Sequence, residues 1–327
     1  MKVTIKDIAK AAGVSHPTVS KALNGAPGVS EEIRKKIEKI AKQMNYVPNL
    51  AAKRLADRRT NSIGLIWPRL EGLFFYHLGL RLQKEAAGLG LDVILSLDDP
   101  PRALRAFHKH FVDQIVFWCA PNWTPSLEFM RQKELFHGQM LLMGGGRLEG
   151  THRIGIDRKG AIYEAVRHLA DYGHRKITFI GDSSEKLAGF TQGVLEQKLE
   201  YHSDYRIETK EGEPFPETRV AELLAKKDRP TAFIVDSQTY AFALIKLFKE
   251  RNIRIPDDYS LIVYDDIPEM EGMDIPLTTV GPSVRQLAAE ALAIVSGTGG
   301  WSGSLLADLE VGCELNVRRS TRRIETV

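Results

Sequence analysis

Two sets of residues in this 327-residue chain have types and spacings suited to chemistry. The first lies near the start. Behind Gly13-Val14-Ser15, the run His16-Pro17-Thr18-Val19-Ser20-Lys21-Ala22-Leu23 puts His16, Pro17, Thr18, Ser20 and Lys21 on the outer and leading surface of a helix. Val19, Ala22 and Leu23 fall on its inner side. Hydroxyls, an imidazole and an ammonium on one exposed helix face can meet phosphates and base edges. The second set is dispersed. Short apolar runs are followed by Arg69, Gly144, Asp157, Asp182, Asp236 and Asp265-Asp266. Acids gathered beyond the carboxyl ends of strands suit a ligand rich in hydroxyls or amines. An Asp after a strand also caps a following helix, as Asp236 would before Gln238–Arg251, so each acid carries both readings.

Other patterns are thinner. Gly181-Asp182-Ser183 is similar to the nucleophile block of some esterases but has no identified His and Asp partners. His108-Lys-His110 lacks a third metal ligand at recognisable spacing. Gly144-Gly145-Gly146 is not followed by the spacing of a phosphate-binding loop. The expectation is therefore no catalytic set, no metal and no cofactor.

The elements around the first set can be read locally. Thr4-Ile-Lys-Asp7 has the form of a capping box, and Ile5, Ile8, Ala9 and Ala12 repeat at helical spacing until Gly13 ends the first helix. Ser15 caps a second helix over Pro17–Leu23, where proline is tolerated in the first turn. Ser30 caps a third, with Ile33, Ile37, Ile40, Ala41 and Met44 as its apolar stripe and an opposite face rich in Lys and Arg. Two short helices joined by a tight glycine turn predict a helix-turn-helix, whose second helix fits a major groove.

Charge agrees with that placement. The first 60 residues hold 13 Lys and Arg against five Asp and Glu, a balance of +8 that leaves −5 for the remaining 267. A basic head on a mildly acidic body either meets a polyanion or is simply a solvated face, and the helical pattern favours the first. With 43% hydrophobic and 27% charged residues, the composition is that of a globular protein and excludes wholesale disorder. No apolar run approaches the roughly 18–20 residues of a membrane span. The N-terminus turns charged before a signal-peptide core can form, and two cysteines make no disulfide framework. A soluble protein of the reducing cytoplasm is expected.

The run Thr4-Ile-Lys-Asp-Ile-Ala-Lys-Ala-Ala-Gly-Val-Ser15, with Thr18-Val-Ser20, Leu23-Asn-Gly25, Val29-Ser30 and Asn45-Tyr-Val-Pro-Asn49, resembles the N-terminal domain of the LacI/GalR family of bacterial transcriptional regulators. The resemblance continues through Ile63-Gly-Leu-Ile66, Gly173-His-Arg-Lys-Ile-Thr-Phe-Ile-Gly181, Tyr264-Asp-Asp266, Leu277-Thr-Thr-Val280 and Val317-Arg-Arg-Ser-Thr321, and so covers essentially the full chain. It implies a helix-turn-helix head over residues 1–48, a hinge helix and linker over 49–61, and a two-lobed periplasmic-binding-protein-like body over 62–327. It also implies a sequence-specific DNA-binding regulator, most simply a repressor. Such a protein holds a palindromic double-stranded operator as a homodimer or higher assembly and answers to a small-molecule effector, a sugar or related metabolite. The competing reading, a solute-binding protein without a DNA role, leaves the basic head unexplained.

Carried over residue by residue, the resemblance places His16, Pro17 and Lys21 at the base edges. Thr4, Ser15, Thr18, Ser20 and Asn24 fall with the residues that meet the DNA backbone. The segment Asn49-Leu-Ala-Ala-Lys-Arg-Leu-Ala56 resembles the family's hinge helix, in which Asn49, Ala52, Lys53 and Leu55 lie against DNA. Leu55 is either the wedge that opens a central base step or an ordinary linker leucine. Pro17 has no donor and departs from the polar residues usual at its position.

In the body, Ile63–Trp67, Val93–Leu97, Ile115–Cys119, Met140–Met143, Ile177–Ile180, Thr231–Val235 and Leu261–Tyr264 read as buried strands. Between them lie helical repeats such as Phe74, Phe75, Leu78, Leu82, Ala86 and Leu89, and Ala161, Ile162, Ala165, Val166 and Leu169. This alternation predicts α/β lobes with parallel sheets covered on both faces. The resemblance puts the effector pocket at Arg69, Phe74, Phe75, Asp157, Lys186, Asp236 and Asp265. Arg69 stands where Asp is usual, Gly144 replaces an acid, Lys186 replaces Arg, and Asp236-Ser237 replaces Asn-Asp. Phe74, Phe75, Trp118 and Trp123 either stack on a ligand ring or belong to the core.

Overall fold

The computed structural model describes residues 3–23, 25–46, 61–68, 72–181, 184–209, 213–298 and 305–324. The chain divides into two compact units, Met1–Thr60 and Asn61–Val327.

The first unit is all helical among its described residues: α1 (Ile5–Ala12), α2 (His16–Leu23) and α3 (Glu31–Gln43). At the start of α1, the Asp7 carboxylate accepts from both the Thr4 N–H, at 2.9 Å, and the Thr4 hydroxyl, at 2.7 Å. These bonds hold the Asp7 carboxyl below the usual aspartate range. Gly13, at φ 69°, stops the helix. Ile8, Val19 and Ile37, one from each helix, are fully buried. Each such side chain contributes about 2 kcal/mol by leaving water. The stripe expected on α3 holds at Ile37 and Ala41 but not at Ile33, which is exposed. One turn of α3 presents Arg34 to the neighbouring helix instead, for a reason given below.

The second unit contains two six-stranded sheets. In the first lobe the order is β11-β5-β4-β3-β1-β2, from β1 (Ser62–Ile66), β2 (Asp92–Ser96), β3 (Gln114–Trp118), β4 (Gln139–Met143), β5 (His152–Ile156) and β11 (Asp308–Val311). In the second it is β12-β10-β9-β8-β6-β7, from β6 (Ile177–Gly181), β7 (Arg206–Glu208), β8 (Ala232–Val235), β9 (Ser260–Tyr264), β10 (Thr278–Pro282) and β12 (Cys313–Asn316). All pairings are parallel except β10 with β12.

Helices cover both faces of each sheet. Helix α4 (Leu73–Gly88) packs against α12 (Val284–Val295), which also lies on β3, β4 and β5. On the opposite face, α5 (Pro100–Lys109) and α6 (Leu127–Leu135) bury Phe107 and Phe129 against Ile115, Phe117 and Leu142. The second lobe has α7 (Arg158–Asp171) and α8 (Ser184–Glu196) on one face, enclosing Phe179 and Phe190. Helices α9 (Glu217–Ala225) and α10 (Gln238–Glu250) lie on the other, and α11 (Pro268–Glu271) is a single short turn. Sheet membership makes the chain cross between the lobes after β5, after β10 and between β11 and β12.

Two apolar readings need correction. The β2 strand is not buried: Ile94, Leu95 and the following Leu97 are exposed, because β2 is an edge strand whose only sheet neighbour is β1. Leu89 is exposed as well, lying just beyond the end of α4. Together with Tyr76 and Leu80 of α4, these leave an apolar surface on the first lobe.

Candidate nucleic-acid interface and ligand cleft

In the first unit, α2 begins at His16, one residue before its expected start. The Ser15 hydroxyl lies 2.8 Å from the Thr18 hydroxyl and accepts a long bond from the Thr18 N–H, so both groups serve the helix end. His16, Pro17 and Lys21 are exposed, and Thr18 and Ser20 are half-buried beside them. Opposite the core, α3 carries exposed Lys35, Lys36, Lys39 and Lys42. The described head therefore offers donors and cations to solvent on two of its helices. Asn24, Asn49, Ala52, Lys53 and Leu55 lie outside the described residues.

The ligand-type residues of the second unit cluster at strand ends of the second lobe. Lys186, in the first turn of α8, donates to the Asp236 backbone carbonyl at 2.8 Å. Its ammonium also lies 3.8 Å from the Asp236 carboxylate and 3.9 Å above the centre of the Tyr264 ring. Asp236 is nearly buried, and it is not the helix cap expected from sequence: Ser237 takes that place, accepting from the Tyr240 N–H. Asp157 does cap a helix, accepting from the Gly160 N–H at 2.7 Å.

The adjacent acids Asp265 and Asp266 have separate duties. Asp266 is committed to structure, accepting 2.8 Å from Arg318 and 2.7 Å from the Thr279 hydroxyl. Asp265 has no hydrogen bond or ion pair from its carboxylate among the described residues. It sits at φ 77°, a conformation uncommon for anything but glycine and frequent where function imposes strain. Although solvent still reaches it, enclosure by protein pushes its carboxyl up to about 6. Lys186 and Arg158 pull the other way without prevailing, and Asp236 adds to the rise.

The first lobe contributes aromatic rings. Phe75 meets Trp118 edge-on at 5.0 Å, Phe74 at 5.7 Å and Trp67 at 5.9 Å. Phe74 is buried, whereas Phe75 and Trp118 are only partly covered. Trp123 is elsewhere, packed on Phe117 and Phe129 in the core behind the sheet, so it is no pocket residue. The lobes meet closely at Gly72, the cap of α4: a Cβ there would fall 2.0 Å from the Gln238 amide nitrogen. A side chain there would have to displace the Gln238 amide, and the φ of 94° is one that residues other than glycine rarely adopt. Gln238 thus links the end of β8 to the start of α4, and its buried Oε1 has no hydrogen-bond partner among the described residues. Arg69 and the Asp182-Ser183 pair lie outside the described residues.

Comparison with known proteins accounts for both halves. A model of bacterial regulatory proteins of the lacI family matches residues 4–49, and one of a periplasmic binding protein-like domain matches 166–321. The HTH-type transcriptional repressor PurR of Photobacterium profundum is 30% identical over 307 residues, covering 89% of this chain and 90% of PurR. This chain belongs to the LacI family. The regulator DegA of Bacillus subtilis is 29% identical across 100% of both chains. The lac repressor dimer bound to operator and an anti-inducer superposes with a TM-score of 0.79 at 21% identity, covering 98% of this chain and 100% of that one. The protein is accordingly a LacI-family DNA-binding transcriptional regulator, and these relatives are regulators rather than enzymes.

Four residues of this LacI-family chain were not singled out by sequence: Arg34, Arg158, Gln238 and Tyr264. Arg158 pairs with Glu185 at 3.4 Å and helps to lower Asp265. Tyr264 directly precedes Asp265 and Gln238 lies two residues after Asp236, and that proximity to strand-end acids is their signal in the sequence. Among the described residues, no three His, Cys, Asp or Glu side chains gather as a metal site requires. No described helix is long and apolar enough to cross a membrane.

Proposed function

We propose that this regulator is a repressor that holds a palindromic operator as a homodimer and is modulated by a sugar-like effector between the lobes of its body. The Asp265 carboxylate, which takes no hydrogen bond among the described residues and lies beside the Lys186–Asp236 pair, carries this reading. An enclosed acid at positive φ, with no hydrogen bond from the described residues, is costly to the fold and suits a hydroxyl or amine donor on a ligand. Phe75 and Trp118 supply partly covered rings in the opposite lobe, as ligand pockets commonly require. The exposed apolar residues of α4 and β2 favour a second copy as the dimer partner. Within this reading, residues 1–48 form the head, 49–61 the hinge and 62–327 the body. Leu55 serves as the wedge, and His16, Pro17 and Lys21 face the bases, with Thr4, Ser15, Thr18, Ser20, Asn24, Asn49, Ala52 and Lys53 on the DNA around them. Arg69, Phe74 and Asp157 complete the pocket.

The test is a thermal-shift screen of the full chain against neutral sugars, amino sugars and nucleosides. A compound in excess at 100 times its Kd raises stability by about 2.7 kcal/mol. The hit should lose its shift in Asp265→Asn and in Lys186→Met, and it should change affinity for a duplex recovered from a random-sequence pool. A shift retained in both variants would remove the cleft from the account.

A further inference from the structure

The structure assigns Arg34 a part in DNA recognition that it performs without facing DNA: we propose that it is a positioning residue that fixes how Lys21 is presented by the reading helix. Arg34 occupies the inward-facing first turn of α3, its side chain only 18% exposed. Its guanidinium reaches back across the head to the exit of α2. Nη1 donates to the Ala22 carbonyl and Nη2 to the Ala26 carbonyl, each at 2.9 Å.

That exit has a defined form. The Gly25 N–H bonds to the Ala22 carbonyl at 3.2 Å and the Ala26 N–H to the Lys21 carbonyl at 2.9 Å, with Gly25 at φ 68°. This is the paired-bond glycine cap that often ends helices. Ala26 therefore stands between two residues: its N–H holds the backbone of Lys21 and its carbonyl is held by Arg34. Beyond it the chain turns at Gly28, and the Lys21 ammonium lies 3.9 Å from where a Cβ on Gly28 would sit. The lysine side chain thus rests on the same loop whose far side Arg34 grips.

The guanidinium is suited to this on two counts. It is planar and forked, so two carbonyls can be held in fixed relation, which a lysine ammonium cannot reproduce. Its charge also sits at the C-terminal end of α2, where the last carbonyls gather negative potential. Arg34 gives Nη1 and Nη2 to backbone, keeps Nε 3.8 Å from the Glu31 carboxylate of its own helix, and faces inward, unlike the exposed lysines of α3. It positions Lys21 through Ala26, and Lys21 does the reading.

The experiment uses the full chain, a duplex recovered by the wild-type protein from a random-sequence pool, and a scrambled duplex of equal length. Arg34→Lys retains the charge and removes the fork. The expected result is a loss of about 10-fold in preference for the recovered duplex, with the slope of log affinity against log salt unchanged. In a Lys21→Ala background, the same substitution should cost no further preference. A slope reduced by about one would make Arg34 a phosphate contact and overturn the proposal. So would equal weakening on both duplexes, or additive losses in the double variant. If the head of Arg34→Lys fails to fold, Gly25→Ala strains the same exit through its backbone at φ 68°, while the added Cβ meets nothing closer than Arg34 Nη1 at 4.0 Å. Preference should fall likewise; preference kept in Gly25→Ala would overturn the coupling.

Discussion

The two units place their working groups in opposite surroundings. In the head, His16, Pro17 and Lys21 are exposed, and what holds them is local: a Ser15–Thr18 hydroxyl pair, a glycine exit and one arginine fork. In the body, Lys186 and Asp236 are almost closed off, and burial holds Asp265 at about 6 against the pull of Lys186 and Arg158. The first arrangement draws strength from many hydrated charges acting together on a polyanion, each individually weak. The second draws it from a few groups in a low dielectric, where each counts heavily. Salt should therefore govern the head, and pH and single substitutions the body.

The largest expected effect follows from the head's exposure. If six to ten phosphates are contacted, affinity for the recovered duplex should fall by roughly 10³–10⁵ between 50 and 200 mM salt. Effector binding, measured by calorimetry over the same range, should change far less, because its charges are screened by protein. A flat DNA line, or two lines of equal slope, would break the contrast between the units.

A smaller effect tests the body. The Asp265 carboxyl is raised from 3.8 to about 6 by burial, so the folded protein holds that proton where the unfolded chain has released it. Stability from this group is greatest below about pH 4, declines as pH rises to about 6, and is level above that. Asp265→Asn removes the enclosed charge and places a residue more tolerant of positive φ at that position. The variant should gain about 2 kcal/mol in denaturant unfolding at pH 7.5 and nothing at pH 4. Equal stability at both pH values would show that the acid is not desolvated in solution. The same substitution should leave the salt slope of DNA binding untouched.

This difference in surroundings also decides what could be read in advance. Helices α1 to α3 were legible because their caps, Thr4, Gly13 and Ser30, lie within a few residues of what they cap. Even there the inward turn was assigned to Ile33 when Arg34 occupies it, since hydrophobic spacing cannot register a buried charge satisfied by carbonyls eight and twelve residues away. In the body the apolar strands declare themselves, but β7, β10, β11 and β12 do not. β11 is Asp-Leu-Glu-Val and β12 is Cys-Glu-Leu-Asn, each too short and polar to announce a strand and paired with segments distant in sequence. The Asp265-Asp266 pair shows the same limit. Their adjacency is plain, yet what separates them is Arg318, 52 residues beyond, and Thr279, 13 residues beyond, both of which hold Asp266 and not Asp265. The family resemblance selected the pocket positions, and the geometry then divided them by what each is bound to.

The smallest effect concerns how the lobes are joined. His77 on α4 directs Nε2 at both oxygens of Glu269 on α11, at 3.1 and 2.9 Å, and so ties the first lobe to the second away from the Asp265 group. Replacing His77 with Leu keeps the bulk and removes the bond, at a cost of about 1 kcal/mol in body stability. If lobe closure is part of the response, the released energy appears as a shift in the open–closed balance and hence in effector affinity. Half-saturation of the screened hit should move about five-fold, since 1 kcal/mol corresponds to that factor. The slope of DNA binding against salt should stay where it was, because no head cation has changed. A moved slope with unmoved effector affinity would reverse the assignment of sensitivities to the two units.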